Sequence, residues 1–480
     1  MAADRMLRFV EREQSYPDKR SAEDRAQDFR EIAERYAAPD ADAQAARCSQ
    51  CGVPYCSVHC PLHNHIPDWL RLTAEGRLRE AYELSNATST MPEICGRICP
   101  QDRLCEGNCV IEFSGHGAVT IGSVEKYITD TAWAEGWVEP LHPGAATGQS
   151  VGIIGAGPAG LTAAEYLRVQ GHEVHVYDRH DRAGGLLTYG IPGFKLEKDV
   201  VTRRIDRLAA GGIQFHLGFE VGQDATLDAL RQKHDALLIA TGVYKAREIH
   251  VPGNEAEGVV AALDYLVASN RKGFGDAVPA FDDGRLNAAG KHVVVIGGGD
   301  TAMDCVRTAV RQGAKSVKCL YRRDRENMPG SLREVSNAEE EGVEFVWLSA
   351  PASFTADSRV KEVAVAGMRL GAPDASGRRS PEADPGRTFD VPADMVIKAL
   401  GFDPEELPNL FGAPDLSVTR WGTLRVDHQT MMTSLPGVFA AGDIVRGASL
   451  VVWGIRDGRD VSDQMAKWLK AKAKSEKKAA

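Results

Sequence analysis

Ser150-Val151-Gly152-Ile153-Ile154-Gly155-Ala156-Gly157-Pro158-Ala159-Gly160 is the stretch that decides the fold of this chain. An apolar strand pattern enters Gly-x-Gly-x-x-Gly, a helix pattern follows, and His172-Glu173-Val174-His175-Val176-Tyr177-Asp178 closes the unit as a second strand ending in an acid. Gly155 permits the tight turn, Gly157 lets backbone N–H groups approach a pyrophosphate, and Gly160 allows close helix–strand packing. The helix that opens at Pro158 and Ala159 presents its positive end to that negative charge. Asp178, 23 residues after Gly155, is placed to accept from a ribose hydroxyl. Strand, turn, helix, strand and acid together read as a dinucleotide site of the FAD or NAD kind.

The unit recurs downstream. Lys291-His292-Val293-Val294-Val295-Ile296 leads into Gly297-Gly298-Gly299-Asp300-Thr301-Ala302, and Ser316-Val317-Lys318-Cys319-Leu320-Tyr321 is its second strand. Arg322-Arg323 then stands where the first unit has Asp178. Two guanidinium groups suit a 2′-phosphate, so this site reads as one for NADP(H); the plainer alternative is two solvated surface arginines. Ala236–Gly242 and Gly437–Asp443 read as further strands of the first unit. That unit is therefore expected in two pieces, 150–285 and 426–480, with the second unit inserted at 286–425. The two cofactors would then face each other across a domain interface.

Upstream, eight of the ten cysteines fall between Cys48 and Cys109. They form two quartets, Cys48-x2-Cys51-x4-Cys56-x3-Cys60 and Cys95-x3-Cys99-x5-Cys105-x3-Cys109, with Pro61 and Pro100 each directly after a cysteine. Disulfides would need an oxidising compartment. Zinc usually asks for two short Cys-x2-Cys knuckles, and only one is present, although His59, His63 and His65 stand nearby. Iron–sulfur clusters draw on compact runs plus a distant thiolate, with the fourth cysteine crossing to the other cluster. By that logic Cys48, Cys51 and Cys56 take Cys109, while Cys99 and Cys105 are completed by Cys95 and Cys60. Cys305 and Cys319 stand alone in a helix and a strand pattern and read as packing residues. With no cysteine pair beside the glycine motifs, a disulfide relay has no thiols to use, and the cysteine-rich region is the other way out for electrons.

Composition fits this outline. At 480 residues, 43% hydrophobic and 26% charged, the chain is an ordinary globular one of roughly three domains. Its net charge of −10 leaves no basic field for nucleic acid, no apolar run reaches the length of a membrane span, and the charged start is unlike a signal peptide. A cytoplasmic protein is expected. Residues 1–138 are assigned to a helical cysteine-rich domain with an N-terminal arm, with a helix pattern over 28–36 that is either solvated or a docking arm. Residues 139–149 read as a Pro/Gly linker and the Lys-rich tail at 470–474 as a frayed end.

Over essentially its whole length the chain resembles the small (beta) subunit family of NADPH-dependent glutamate synthases. Both quartets carry the resemblance, with Gly155–Gly160, Gly184-Gly185-Leu186-Leu187-Thr188-Tyr189-Gly190-Ile191-Pro192, Ala240-Thr241-Gly242, Gly297–Asp304, Tyr321-Arg322-Arg323 and Ala441-Gly442-Asp443. The architecture is also similar to the N-terminal half of dihydropyrimidine dehydrogenase and to bifurcating ferredoxin:NADP oxidoreductases. The resemblance implies an α/β flavoprotein with two dinucleotide-binding domains, a discontinuous FAD domain with an inserted NADPH domain as in glutathione reductase, preceded by an α-helical domain holding two 4Fe-4S clusters. FAD would lie on Gly155, Gly157, Pro158, Ala159, Gly160 and Asp178, on Gly185, Leu186 and Lys195, and on Gly242, Gly442 and Asp443. NADPH would lie on Gly297, Gly298, Gly299, Asp300, Thr301, Arg322 and Arg323. The ligand set would be Cys48, Cys51, Cys56 and Cys109 with Cys60, Cys95, Cys99 and Cys105. No general base is expected, since the hydride goes to the flavin. The partner implied is an FMN-containing large (alpha) subunit in a hetero-oligomer; the alternative is a free-standing or bifurcating NADPH:ferredoxin-type reductase.

Overall fold

The computed structural model describes residues 6–373 and 379–479. Its centre is a five-stranded parallel sheet in the order Val438–Ala440, Ala236–Ile239, Ser150–Ile154, Glu173–Asp178, Gln214–Leu217. Every residue of Ala236–Ile239 is buried, as an apolar run covered on both faces requires. Strand order reverses beside Ser150–Ile154, and the crevice at the carboxyl ends of such strands is where ligands bind in open α/β sheets.

A second parallel sheet repeats the plan in the order Val259–Ala261, Met395–Lys398, His292–Ile296, Ser316–Tyr321, Glu344–Trp347. Helices cover one face. The other is covered by an antiparallel sheet the sequence reading did not anticipate, Ser349–Ala356, Val360–Pro373 and Arg379–Pro392. Phe354, Val360, Val363 and Val365 from that sheet share a core with Val294, Ile296 and Val396.

The expected boundaries at 285/286 and 425/426 are corrected by these pairings. Val259–Ala261 is already an edge strand of the second sheet, and Leu407, Phe411, Leu416 and Leu424 pack with Ile154 and Ile239 of the first unit. The two crossings meet in a short ribbon, Lys245–Ala246 against Phe402–Asp403. A three-residue edge strand carries too few apolar positions to announce itself, so a boundary set by the strand that feeds the second glycine turn falls after it.

The arm differs from expectation too. Residues 28–36 form no helix, with Lys19 bridged to Ala33, and the nearby helix is Ala22–Arg25. Much of the arm is exposed, and ion pairs fasten it at points to the other units. Arg25, 1% exposed, lies against Glu340 and Glu341 of the second unit, and Glu31 is held by Arg97 and Lys126. Tertiary ion pairs replaced the helical hydrogen bonds that a charged nine-residue pattern would barely support. The 470–474 tail is helical, continuing Val451–Ala479, and Lys472 reaches Asp235 at 3.0 Å. Among the described residues no helix is long and apolar enough to cross a membrane.

The cysteine-rich unit packs helices Ile66–Ala74, Leu78–Asn86 and Ile121–Ala134 around Trp69, Val124 and Ile128. Helix Pro92–Ile98 is pinned to helix Lys198–Ala210 of the first unit by Glu93 and Arg204, which are 0% and 1% exposed and bonded twice at 2.8 Å. Glu93→Ala would strand a buried guanidinium, so a loss of about 3–5 kcal/mol is expected. It would be read as a lower urea midpoint, and an unchanged midpoint would show that this pair does not carry the junction.

Candidate functional site

The first glycine turn is closed on one side and open on the other. Gly155 has φ +111°, and a Cβ there would lie 2.3 Å from the Ala240 carbonyl oxygen. A Cβ on Gly160 would lie 2.0 Å from the Gly155 carbonyl oxygen, whereas one on Gly157 would meet nothing within 4 Å. That open space sits at the N-terminus of helix Pro158–Val169, the cradle a pyrophosphate would fill. Asp178 accepts from Ala156 N–H at 2.7 Å and from His180 N–H at 2.9 Å, so the acid braces the turn as well as bordering the crevice.

Gly155, Gly157, Asp178, Leu186, Gly242 and Asp443 line one cavity, which runs on past Tyr244 into a lobe beside Arg179 and His180. Thr241 Oγ1 is buried there without a partner. Burial pushes the Asp443 carboxyl up to about 6, against the pull of a 2.5 Å hydrogen bond from Ser449. An open cradle, an orphaned hydroxyl and a buried carboxylate at the cavity wall fit a dinucleotide such as FAD. Gly160 and Gly185 stay out of the lining. Gly160 packs on the turn and Gly185 on Gly157.

The second unit repeats the device. A Cβ on Gly297 would lie 2.2 Å from the Ala399 carbonyl oxygen, and one on Gly299 would meet nothing within 4 Å. A second cavity is lined by Gly297, Gly298, Gly299, Thr301, Arg322 and Arg323. Arg323 is 8% exposed and its Nε has no partner, while Arg322 is exposed. An unsatisfied buried guanidinium N–H beside a glycine turn fits a phosphate-bearing ligand. Asp300 instead turns to the first cavity and accepts from Ser331 N–H at 3.0 Å.

Three units meet at the first cavity. Thr301 borders both cavities, Asp304 and Glu334 of the second unit face into the first, and Ile98, Cys99 and Gln101 of the cysteine-rich unit complete its wall. Lys195, expected on the flavin, lies in this wall with Nζ 3.0 Å from Asp304 and 3.8 Å from Glu334. Burial opposes its charge, yet these acids hold its pKa above the usual lysine value. Burial likewise pushes Asp304 up to about 6 although Lys195 pulls the other way, and Glu334 is kept at about 2, despite burial, by Arg307 and Lys195.

None of the ten cysteines is joined in a disulfide. Burial pushes Cys48 up to about 11 and Cys56 up to about 12, and Cys109 opposes ionisation of both. Cys60 is pushed up to about 11 by burial, with Cys95 the neighbouring thiol. Cys99 is raised by its hydrogen bond to Cys95 and by burial, and Cys105 by burial, with Glu106 and Cys60 close by. Buried thiols of high pKa are poor nucleophiles, whereas a coordinated metal removes the proton outright. Neighbouring buried thiols such as these are the donor chemistry that iron–sulfur ligation uses. Among the described residues no three Cys, His, Asp or Glu side chains converge closely enough to hold a single ion.

Sequence reasoning missed Tyr244, half-buried where it lines both lobes, and the Asp304–Glu334 pair. It also missed the stretch from Arg97 to Gln101 that walls the cavity. Tyr244 follows Gly242 by two residues and could have been sought there; the others have no local signal.

Residues 25–137 match the family model described as dihydropyrimidine dehydrogenase domain II, 4Fe-4S cluster. Residues 149–466 match pyridine nucleotide-disulphide oxidoreductase. The chain is 66% identical over 475 residues to the glutamate synthase (NADPH) small chain of Azospirillum brasilense, covering 99% of this chain and 98% of that one. It is 46% identical to the Escherichia coli K12 protein of the same name, covering 97% and 99%. A putative oxidoreductase of that organism, AegA, is 46% identical over 95% of this chain and 70% of its own length. Mycobacterium tuberculosis FprA in complex with NADPH shares the fold, with TM-score 0.57, 19% identity and coverage of 70% and 86%.

Proposed function

The chain belongs to the family of NADPH-dependent glutamate synthase small chains, flavoprotein oxidoreductases that join a 4Fe-4S domain to a pyridine nucleotide-disulphide oxidoreductase domain, and on that premise we propose that it is the electron-input chain of a glutamate synthase. FAD held in the first cavity would supply a hydride acceptor for NADPH and a one-electron donor toward iron–sulfur clusters. The observation that carries this reading is the one cavity walled by the first glycine turn, by Thr301 and Asp304, and by Cys99.

In this reading Gly155, Gly157, Pro158, Ala159, Asp178, Leu186, Gly242, Gly442 and Asp443 hold FAD, with Gly160 and Gly185 shaping the turn. Gly297, Gly298, Gly299, Thr301, Arg322 and Arg323 hold NADPH, and Asp300 braces the loop above them. Lys195 orients the junction through Asp304 and Glu334. Cys60, Cys95, Cys99 and Cys105 hold a cluster next to the flavin, and Cys48, Cys51, Cys56 and Cys109 a second one farther out. The first nucleotide unit is then 150 to about 246 with 402 onward, and the second lies between.

The outer group leads to the partner. Val53, Tyr55 and Val58 are exposed beside Cys51 and Cys56, and no Asp, Glu, Lys or Arg occurs from Cys48 to Pro67. An uncharged apolar face suits a lasting contact with a larger chain that makes L-glutamate from L-glutamine and 2-oxoglutarate. The test is anaerobic co-purification from the native host, with assay of NADPH-, glutamine- and 2-oxoglutarate-dependent glutamate formation. A large co-purifying chain with that activity is expected. The relation to AegA, where the match spans 70% of a longer oxidoreductase, favours one second reading, a reductase module for another acceptor. Recovery with a small ferredoxin-like protein and no glutamate formed would transfer the function to that reading.

A further inference from the structure

The segment that carries the chain from Cys99 to Cys105 does more than deliver two thiols. Its Arg103 guanidinium caps three successive backbone carbonyls of the second unit: Met328 at 2.8 Å, Pro329, and Gly330 at 2.6 Å. Asp102 beside it accepts from Ser331 Oγ at 3.2 Å and from Leu332 N–H at 3.3 Å. Arg333 returns the contact, donating to Glu106 at 2.7 Å and to Gln101 at 3.4 Å.

The far side of the same short segment is fastened to the second glycine turn. Gly330 N–H donates to the Gly298 carbonyl at 2.8 Å, and Ser331 N–H donates to Asp300 at 3.0 Å. The packing is close: a Cβ on Gly330 would lie 3.1 Å from the Gly298 oxygen. Pro329 borders the second cavity, and Ser331 and Arg333 border the first. Residues 328–333 are therefore a single layer between the nucleotide turn and the Cys99–Cys105 loop. Arg103 itself lines neither cavity.

We propose that Arg103 is a positioning residue for the NADP(H) turn, through which nucleotide binding and the environment of the inner thiol group are coupled. Three carbonyl dipoles aimed at one point repel one another, and a five-donor planar guanidinium is the side chain that offsets this. Without it the peptide planes of 328–330 are free to turn, and Gly330 N–H leaves Gly298. Because linkage is reciprocal, a contact that favours the nucleotide-competent turn is itself favoured by the bound nucleotide, and the Cys99–Cys105 loop feels the ligand.

This rests on the reading of the second cavity as the NADP(H) site, and the test separates the two. The full-length holoprotein, with iron and FAD content measured, is titrated calorimetrically with NADP+ as wild type, Arg103→Ala and Arg103→Lys. The EPR spectrum of the reduced clusters is recorded with and without NADP+. For a partly exposed charge-assisted contact, Arg103→Ala should raise the NADP+ Kd about three- to tenfold. It should also raise KM for NADPH more than it lowers kcat, and abolish an NADP+-dependent change in the spectrum that wild type shows. Arg103→Lys, which keeps the charge, should recover part of the affinity. An alanine variant with wild-type Kd and wild-type NADP+ response overturns the coupling alone. A wild-type protein that binds no NADP+ overturns the site reading beneath it.

Discussion

Replacing Cys99 with serine is expected to stop electrons leaving the flavin while leaving FAD bound and reducible by NADPH. Cys99 stands in the wall of the flavin cavity, hydrogen-bonded to Cys95 in the thiol group that includes Cys60 and Cys105. A hydroxyl is a much weaker ligand to iron than a thiolate, so the inner group would lose its cluster and iron content should fall by about half if two four-iron clusters are present. NADPH-dependent reduction of a small dye that takes electrons at the flavin should persist, because Gly157, Thr241 and Asp443 are untouched. NADPH-dependent glutamate formation in the assembled enzyme should fall below detection. Cys305→Ser is the matched control: that thiol is fully buried in the second unit, away from both groups, and its loss should leave iron unchanged. Full iron in Cys99→Ser, with undiminished transfer, would remove Cys99 from the ligand set and the inner cluster from the route.

Neutralising Arg322 and Arg323 together should raise KM for NADPH by roughly ten- to a hundredfold, the loss of about 1.5–3 kcal/mol from a charge-assisted phosphate contact. KM for NADH should barely move, since NADH has no 2′-phosphate to lose. The two residues are not equivalent. Arg323 is buried with an unpartnered Nε, whereas Arg322 is exposed and its contact is screened. Arg323→Gln should therefore account for most of the double variant's effect, and added salt should weaken the contribution of Arg322 first. Equal effects on both nucleotides would sink the 2′-phosphate assignment.

Much of this protein is legible one segment at a time. The two glycine turns, the strands that feed them, Asp178, Arg322-Arg323 and the eight clustered cysteines each announce their chemistry through residue type and short spacing. Those features answer to local constraints: backbone room at a turn, a helix end, a thiolate donor. The family resemblance rests on the same features.

What chain order left open is whatever joins distant segments. Nothing periodic in Val259–Ala261 marks it as an edge of the second sheet, and the 28–36 pattern points to a helix that ion pairs with other units override. Lys195 is near the flavin segment in sequence, yet its charge is set by Asp304 and Glu334, which lie more than a hundred residues away along the chain. The composition and turns of the sequence by themselves determined two dinucleotide units behind a thiol-rich one. Only the tertiary structure decided that Cys99, Gly157 and Thr301 share one cavity and that Arg103 reaches across to Gly330. Such contacts come from packing three units against one another, and packing between distant segments leaves no spacing in the chain from which it could be read.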